Sequence, residues 1–245
     1  MQLSKRPIVI AHRGSSGGAP EGTAAAIRLA IRQHSEMIEL DVQMTKDRRL
    51  VIFHDERLER TTDGQGRLSN HTYGALARLD AGGWFSTRFR GERILLVSQA
   101  LRLIPKPVMI NLELKSRPRE SFISRVIGCV RRSRAARRTL VSSFDASCIA
   151  RVRAAAPSMA TALICRHHAA GSLRQAVALG CAAWHPHVSL VTPSFVQHAH
   201  EHGLRVHAWT VDRAQQAQRL LNAGVDGVFT NWPDRIHPVC VRSAR

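Results

Sequence analysis

Two histidines stand at the ends of short apolar runs that are typical of strands. His12, followed by Arg13, closes the run 7–12, and His54 closes the run 50–54. An unperturbed imidazole titrates at about pH 6.5, so one of two histidines in a shared site can be neutral while the other is protonated. The pair therefore has the chemistry of a general base and a general acid.

Three carboxylates occupy matching positions in two other runs. Glu39 and Asp41 lie in 37–42, and Glu113 lies in 108–114, two residues before Lys115. Residues two apart in a strand share a face, so Glu39 points the same way as Asp41, and Glu113 the same way as Lys115. If that face is the interior of a barrel, three carboxylates converge at one mouth, where burial without a partner is costly. A hard divalent cation removes that cost, and all-oxygen ligation favours Mg²⁺ or Ca²⁺ over zinc.

Fixed positive charge accompanies these groups. Arg13 and Lys115 beside a divalent cation suit an anionic substrate whose charge grows in the transition state, above all a phosphoryl group. Neither a P-loop nor a dinucleotide fingerprint occurs, so the sequence does not support nucleotide binding of those kinds. The glycine-rich segment 14–23 contains Glu21 and ends at the candidate N-cap Thr23. It is either a flexible loop entering a helix or a loop that adds Glu21 to the metal shell.

Short strand-like runs alternate with helical patterns along the chain. The nine runs are 7–12, 37–42, 50–54, 108–114, 139–144, 160–165, 182–187, 205–211 and 226–231. Helical patterns lie between most of them, for example over 23–33, 193–203 and 212–224. This alternation predicts an α/β fold, a distorted (β/α)₈ TIM barrel, as a single domain over 1–245.

One junction departs from that alternation. Too few residues separate 37–42 from 50–54 for a parallel crossover, so we expect an antiparallel hairpin there, with Asp41 opposite His54. Strand parity then places Asp55 on the other face, away from the site.

Residues 60–98 form a long glycine-containing stretch with one short helix expected near 71–78. The stretch follows the strand that ends in His54, on the face where the active-site loops of a barrel project. We interpret it as a small lid insertion, with an ordinary long connection as the alternative.

Composition narrows the class of protein. The chain has 245 residues, and 44% of them are hydrophobic, which excludes a disordered chain. No apolar run approaches the roughly 20 residues that a membrane span needs, so we expect none. The first residues lack the pattern of a signal peptide, and the five cysteines are scattered without a C-x-x-C pair. These features predict reduced thiols and a cytoplasmic location.

The chain is strongly basic. Lys and Arg number 36 against 18 Asp and Glu, which gives a net charge of +18, and only four of the 36 are lysine. The charge fits either an anionic partner or a general drift of composition towards arginine. Aromatic residues make up 5%, too few for a base-stacking surface, so no specific nucleic-acid partner is predicted.

The motifs together resemble those of glycerophosphodiester phosphodiesterases of the short bacterial cytoplasmic type, over about residues 7–235. They are 11-AHRG-14, 19-APEGT-23, 38-IELDVQMTKD-47, 53-FHDERLERTTDGQG-66, 111-NLELK-115, 206-VHAWTVD-212 and 224-GVDGVFTNWP-233. The resemblance implies a distorted (β/α)₈ barrel. It also implies metal-dependent hydrolysis of small glycerophosphodiesters, such as glycerophosphocholine and glycerophosphoethanolamine, to sn-glycerol 3-phosphate and an alcohol.

The resemblance also implies a role for each matching residue. His12 and His54 would be the acid–base pair, and Arg13 and Lys115 would contact the phosphate. One divalent cation, Mg²⁺ or Ca²⁺, would be held by Glu39, Asp41 and Glu113, with Glu21 nearby. Trp209 would form a wall of the glycerol pocket, and core packing is the alternative for this residue.

Two positions and one segment depart from the family pattern. Gly22 stands where an asparagine is usual, Asn231 stands where an aspartate is usual, and 95–99 lacks the usual proline and glutamates. They bear on the shape of the first loop and on the activity, while every implied catalytic residue is present. Two alternatives remain at this point: a lysophospholipase D or sphingomyelinase D-like enzyme, and an inactive basic barrel that binds nucleic acid or an anionic membrane.

Overall fold

The computed structural model describes residues 6–115 and 120–243, in which strands and helices alternate. The strands are β1 Ile8–Ala11, β2 Met37–Met44, β3 Leu50–Ile52, β4 Met109–Leu114, β5 Thr139–Ser143, β6 Ala160–Cys165, β7 Ala183–Pro186, β8 Arg205–Ala208 and β9 Gly227–Thr230. The helices are α1 Ala24–Arg32, α2 Tyr73–Leu76, α3 Val97–Leu103, α4 Glu120–Arg132, α5 Ala146–Ala155, α6 Ala169–Ala178, α7 Pro193–Glu201, α8 Ala214–Asn222 and α9 Pro233–Arg242.

Eight parallel strands close into a barrel. β1 pairs with both β2 and β9, and the remaining neighbours follow in the order β9, β8, β7, β6, β5, β4 and β2. Ile10 is thus in register with Met37 on one side and with Phe229 on the other. The predicted TIM barrel is confirmed.

The short strand β3 lies outside this ring and pairs antiparallel with β2, which confirms the predicted hairpin. Its register differs from the prediction by one residue, because Val42 lies opposite Ile52 and Asp41 therefore lies opposite Phe53 instead of His54. The reason is the turn, which has five residues, 45–49. Its shape is fixed by the hydroxyl of Thr45, which accepts from the Arg49 N–H at 2.9 Å, and by a left-handed Arg48 with φ of 61°.

The apolar sides of the helices pack on the outside of the barrel. Helix α1 is capped at its N-terminus by Thr23, whose side chain accepts from the Ala26 N–H, and it buries Ala26, Ile27 and Ala30. Because both faces of a parallel barrel strand are covered, almost every strand residue is buried. The strand ends are thereby held rigidly enough to position side chains at the mouth.

Residues 60–98 include α2, which lies inside the predicted range 71–78. Side chains of the segment, including Leu68, Leu76 and Ile94, form a small core of their own against Val51 and Phe53 of the hairpin. The segment thus packs on the β2–β3 hairpin, and its function as a lid stays a prediction.

The described helices include none long and apolar enough to cross a bilayer. All five cysteines fall within the described residues and are buried free thiols, as the sequence predicts.

Candidate active site

Three carboxylates meet on the neighbouring strands β2 and β4. Glu39, Asp41 and Glu113 each offer an oxygen within 4.8 Å of the others. The strand register explains why the carboxylates are close, because Asp41 lies directly beside Glu113 in the parallel β2–β4 pair. All three side chains are largely buried, so the predicted convergence is present in the structure.

These carboxylates have the properties of a cation site. Burial, with the Asp41 and Glu113 carboxylates adding to it, raises the pKa of Glu39 well above its usual value. Burial and the Asp41 carboxylate likewise raise the pKa of Glu113 to about 7. The Glu39 Oε1 atom is buried and has no hydrogen-bond partner among the residues that the structure describes. An all-oxygen donor set that is buried and partly unsatisfied fits a hard divalent cation.

Arg13 binds this cluster from the end of β1. Its backbone N–H donates to Glu39 at 2.8 Å, and its Nε atom lies 3.3 Å from Asp41. Arg13 and Gly14 both have left-handed backbone conformations, with φ of 57° and 78°, which turn the chain sharply at this point. The turn lets one residue contact two carboxylates through its backbone and its side chain.

Lys115 contacts the cluster from the end of β4. Its ammonium group lies 2.6 Å from Glu113 and 3.4 Å from Asp41. Burial acts to lower the pKa of Lys115, but the Asp41 and Glu113 carboxylates outweigh it and raise the pKa. Lys115 is therefore a permanent cation at the mouth.

His12 is fixed by an amide. Its Nδ1 lies 2.8 Å from Asn231 Oδ1, while the Asn231 amide nitrogen donates to Asp212 at 2.7 Å. An amide oxygen only accepts, so Nδ1 carries the proton and Nε2 is left as an acceptor. Burial, then the Arg13 charge, lowers the pKa of His12 to about 4, which makes the ring neutral at pH 7.

His54 is fixed by a carboxylate instead. Its Nδ1 lies 2.5 Å from Asp55 Oδ1, and Arg60 contacts the same carboxylate through Nε and Nη2. The Arg60 hydrogen bonds hold the pKa of Asp55 down to about 2. Burial lowers the pKa of His54 below its usual value, and the Asp41 and Asp55 carboxylates, which act to raise it, offset burial only in part.

Glu21 lies between two arginines. Its carboxylate accepts from Arg13 at 2.9 Å and from Arg60 at 2.9 and 2.7 Å. Glu21 is not one of the three carboxylates that converge within 4.8 Å, and its predicted place near the metal stays a prediction. In this structure Glu21 links two groups of contacts. It bonds to Arg13, which contacts the carboxylate cluster, and to Arg60, which holds Asp55 against His54.

A cavity of about 200 Å³ opens beside these groups. His12, Arg13, Glu39, His54, Glu113 and Lys115 line one part of it, and the rest is lined by Phe144, Ile164, Arg166, His185, Trp209, Thr210 and Phe229. The Trp209 indole N–H donates to the His185 carbonyl at 2.8 Å, and the Phe144 ring meets it edge-on at 5.6 Å. The cavity thus combines charged groups with aromatic rings, and Arg166, which lies over the Trp209 ring, adds a further cation to its lining.

Sequence reasoning missed part of this site. It predicted that Asp55 points away, but β3 ends at Ile52, so strand parity does not extend to Asp55, whose carboxylate binds His54. Arg60 and Arg166 carried no signal in the strand pattern. Asn231 was noted only as a departure from a family motif, and its contact with His12 joins residues 219 positions apart.

The model of the Glycerophosphoryl diester phosphodiesterase family matches residues 12–235 of the chain. The chain belongs to this family. It is therefore a phosphodiesterase, and the resemblance noted in its motifs is confirmed.

Individual members of the family are similar to this protein over nearly the whole length of the chain. A glycerophosphodiester phosphodiesterase of Caldanaerobacter subterraneus is 33% identical over 234 residues, which cover 94% of this chain and 96% of that protein. One of Bacillus subtilis is 30% identical over 256 residues, covering 96% and 86%. An Oleispira antarctica phosphodiesterase, solved in complex with the product sn-glycerol-3-phosphate, is 32% identical with a TM-score of 0.89 and 96% coverage of both chains.

Proposed function

We propose that this phosphodiesterase hydrolyses small glycerophosphodiesters, such as glycerophosphocholine and glycerophosphoethanolamine, to sn-glycerol 3-phosphate and an alcohol. The observation that carries the proposal is the cluster of Glu39, Asp41 and Glu113, of which Glu39 and Glu113 line a cavity that His12 and His54 also line. The product named for the Oleispira antarctica relative supports the same substrate class.

In this proposal Glu39, Asp41 and Glu113 hold one divalent cation, Mg²⁺ or Ca²⁺. When bound, the cation supplies Lewis-acid stabilisation of the charge that develops on the phosphoryl oxygens. Arg13 and Lys115, which contact the carboxylates directly, add positive charge at the same place and orient the phosphate.

The partners of the two histidines suggest different roles. His12 is neutral with Nδ1 protonated, so its Nε2 can take the proton of the attacking oxygen. His54 is bonded to the Asp55 carboxylate, which offsets part of the lowering of the His54 pKa by burial and stabilises the imidazolium, so His54 suits the acid that protonates the leaving oxygen. Trp209 forms a wall of the glycerol pocket, and the Asp55–Arg60–Glu21 chain keeps His54 and Arg13 in place.

The size of the cavity favours a small substrate over a lysophospholipid. The test is the release of sn-glycerol 3-phosphate from glycerophosphocholine and glycerophosphoethanolamine, compared with turnover of lysophosphatidylcholine at equal concentration. We expect kcat/KM to be at least about 10-fold higher for the small diesters, since only these fill a pocket of this size without leaving an acyl chain in water. Preferential turnover of the lysolipid would contradict the proposal. The cytoplasmic location stays a prediction.

A further inference from the structure

A second groove on the outside of the barrel is lined mainly by arginines. It has a volume of about 540 Å³ and lies between the β2–β3 turn, α3 and α4. Among the described residues, six arginines line it: Arg48, Arg49, Arg102, Arg125, Arg132 and Arg134. In the same part of the chain, no aspartate or glutamate lines this groove, and it shares no residue with the active-site cavity.

The six guanidinium groups face solvent, and their electrostatic interactions with the fold include the charge effects of Arg49 on Asp47 and of Arg102 and Arg132 on Cys129. All six side chains are exposed, and within residues 6–115 and 120–243 none of them makes an ion pair or hydrogen bond. By contrast, Arg13 and Arg60 at the active site each contact two carboxylates. The acid in the same turn, Asp47, is already used, because its Oδ1 accepts from the Thr45 hydroxyl and from the Tyr73 N–H.

Helix dipoles account for only some of these arginines. Arg102 and Arg132 lie in the last turns of α3 and α4, where a cation is favourable. Arg125 lies in the middle of α4, and with Arg132 it shares one helix face at a spacing of seven residues. Arg48 and Arg49 lie on a hairpin turn with no dipole to complement. Three separate elements therefore bring like charge to one concavity.

A concave wall of a single charge concentrates the electrostatic field and attracts counter-ions. Guanidinium groups bind phosphate through paired hydrogen bonds, which makes phosphate the preferred anion. No aromatic side chain of residues 6–115 and 120–243 lines the groove, so nucleic-acid bases have nothing there to stack on. In the part of the chain that the structure describes, the exposed large apolar residues are Trp84 and Phe144, and both lie outside the groove, so no such side chain in the groove inserts into a bilayer.

We propose that this arginine groove is a binding site for a linear chain of phosphates, of the class of inorganic polyphosphate. The test measures the affinity of labelled inorganic polyphosphate by fluorescence anisotropy at about 0.15 M salt, where surface charges further apart than about 8 Å are screened. The groove variant carries Arg102→Gln, Arg125→Gln and Arg132→Gln. The matched control carries Arg28→Gln, Arg151→Gln and Arg174→Gln, which removes the same charge from exposed helix positions elsewhere.

We expect the groove variant to bind polyphosphate on the order of 10²-fold more weakly and the control to stay within about 3-fold of the wild type. A double variant, Arg48→Gln with Arg49→Gln, alters only the exposed turn and should weaken binding in the same direction. Turnover of glycerophosphocholine by both groove variants should equal that of the wild type, which keeps this test separate from the proposed activity.

Three results would overturn the proposal. The first is an equal loss in the groove and control variants, which would make the binding a general effect of net charge. The second is no binding of polyphosphate at this salt concentration. The third concerns competitors. In that result, single-stranded DNA of equal charge, or vesicles of anionic phospholipid, would displace labelled polyphosphate as strongly as unlabelled polyphosphate does, and would bind through the same arginines.

Discussion

At the scale of single residues, the two histidines differ in what holds them. His12 donates to an amide oxygen, and His54 bonds to a carboxylate that Arg60 keeps ionised. Substitution of either by alanine should lower kcat by on the order of 10²-fold or more, the usual size of an acid–base contribution. The double variant should lose much less than the product of the two losses, because the residues act as a unit.

A substrate with an acidic leaving group separates the two roles. A glycerophosphate nitrophenyl ester needs no proton on its leaving oxygen, so it should largely restore turnover by His54→Ala and leave His12→Ala impaired. The measurement is kcat on this ester relative to glycerophosphocholine for each variant. Restoration of His12→Ala alone would reverse the assignment, and restoration of neither would make both residues scaffolding for the carboxylates.

Substitutions of Asp41 and Asp55 should have different effects, because the two aspartates have different functions. Asp41 belongs to the carboxylate cluster, whereas Asp55 orients His54. Asp41→Asn should therefore raise the metal concentration for half-maximal activity by about 10-fold or more, while Asp55→Asn should lower kcat and leave that concentration nearly unchanged. Metal titrations of the initial rate test both variants. Equal shifts in the two midpoints would show that the roles are not distinct.

At the scale of elements, most of the barrel was predictable because each strand is a short apolar run bounded by polar residues. β7, for example, lies within the predicted run 182–187. The hairpin register was wrong by one residue because the turn depends on a left-handed Arg48 and a Thr45 hydrogen bond, which strand periodicity does not encode. The supports of the histidines, Asn231 and Arg60, were not predictable as such, because they depend on how the closed barrel brings distant loops together.

The turn after β1 offers a test of this local geometry. Gly14 has φ of +78°, and a Cβ there would lie 2.8 Å from the backbone of Ala26 in α1. Gly91 has φ of +94° with open space around it, so it is the matched control. Gly91→Ala should cost about 1 kcal/mol of unfolding free energy from backbone strain alone, and Gly14→Ala about 1–3 kcal/mol more from the clash.

Urea denaturation of the two variants measures this difference directly. Gly14→Ala should also reduce turnover, because the turn carries Arg13 against the carboxylates, whereas Gly91→Ala should not. Equal losses of stability would show that the contact with α1 is absent in solution.

At the scale of the whole molecule, the closed barrel holds three carboxylates close together, and their protonation should be linked to metal binding. In the metal-free protein, burial and neighbouring carboxylates raise the pKa of Glu113 to about 7 and raise the pKa of Glu39 as well. A cation binds the ionised form, so these groups must release protons. Metal affinity should therefore rise as the pH rises through about 7.

Isothermal titration calorimetry at pH 6 and pH 8, in buffers of different ionisation enthalpy, counts the released protons. We expect more proton release and weaker binding at pH 6. The same affinity at both pH values, with no proton release, would contradict the raised pKa values of Glu39 and Glu113.

The most direct test of the account is the release of sn-glycerol 3-phosphate from glycerophosphocholine before and after chelation. Three buried carboxylates at one mouth need a divalent cation, so excess chelator should abolish product release and added Mg²⁺ or Ca²⁺ should restore it. Glu113→Gln, which removes one ligand charge, should need more metal for the same recovery. Full release of sn-glycerol 3-phosphate in excess chelator would contradict the assignment of these carboxylates as the metal site.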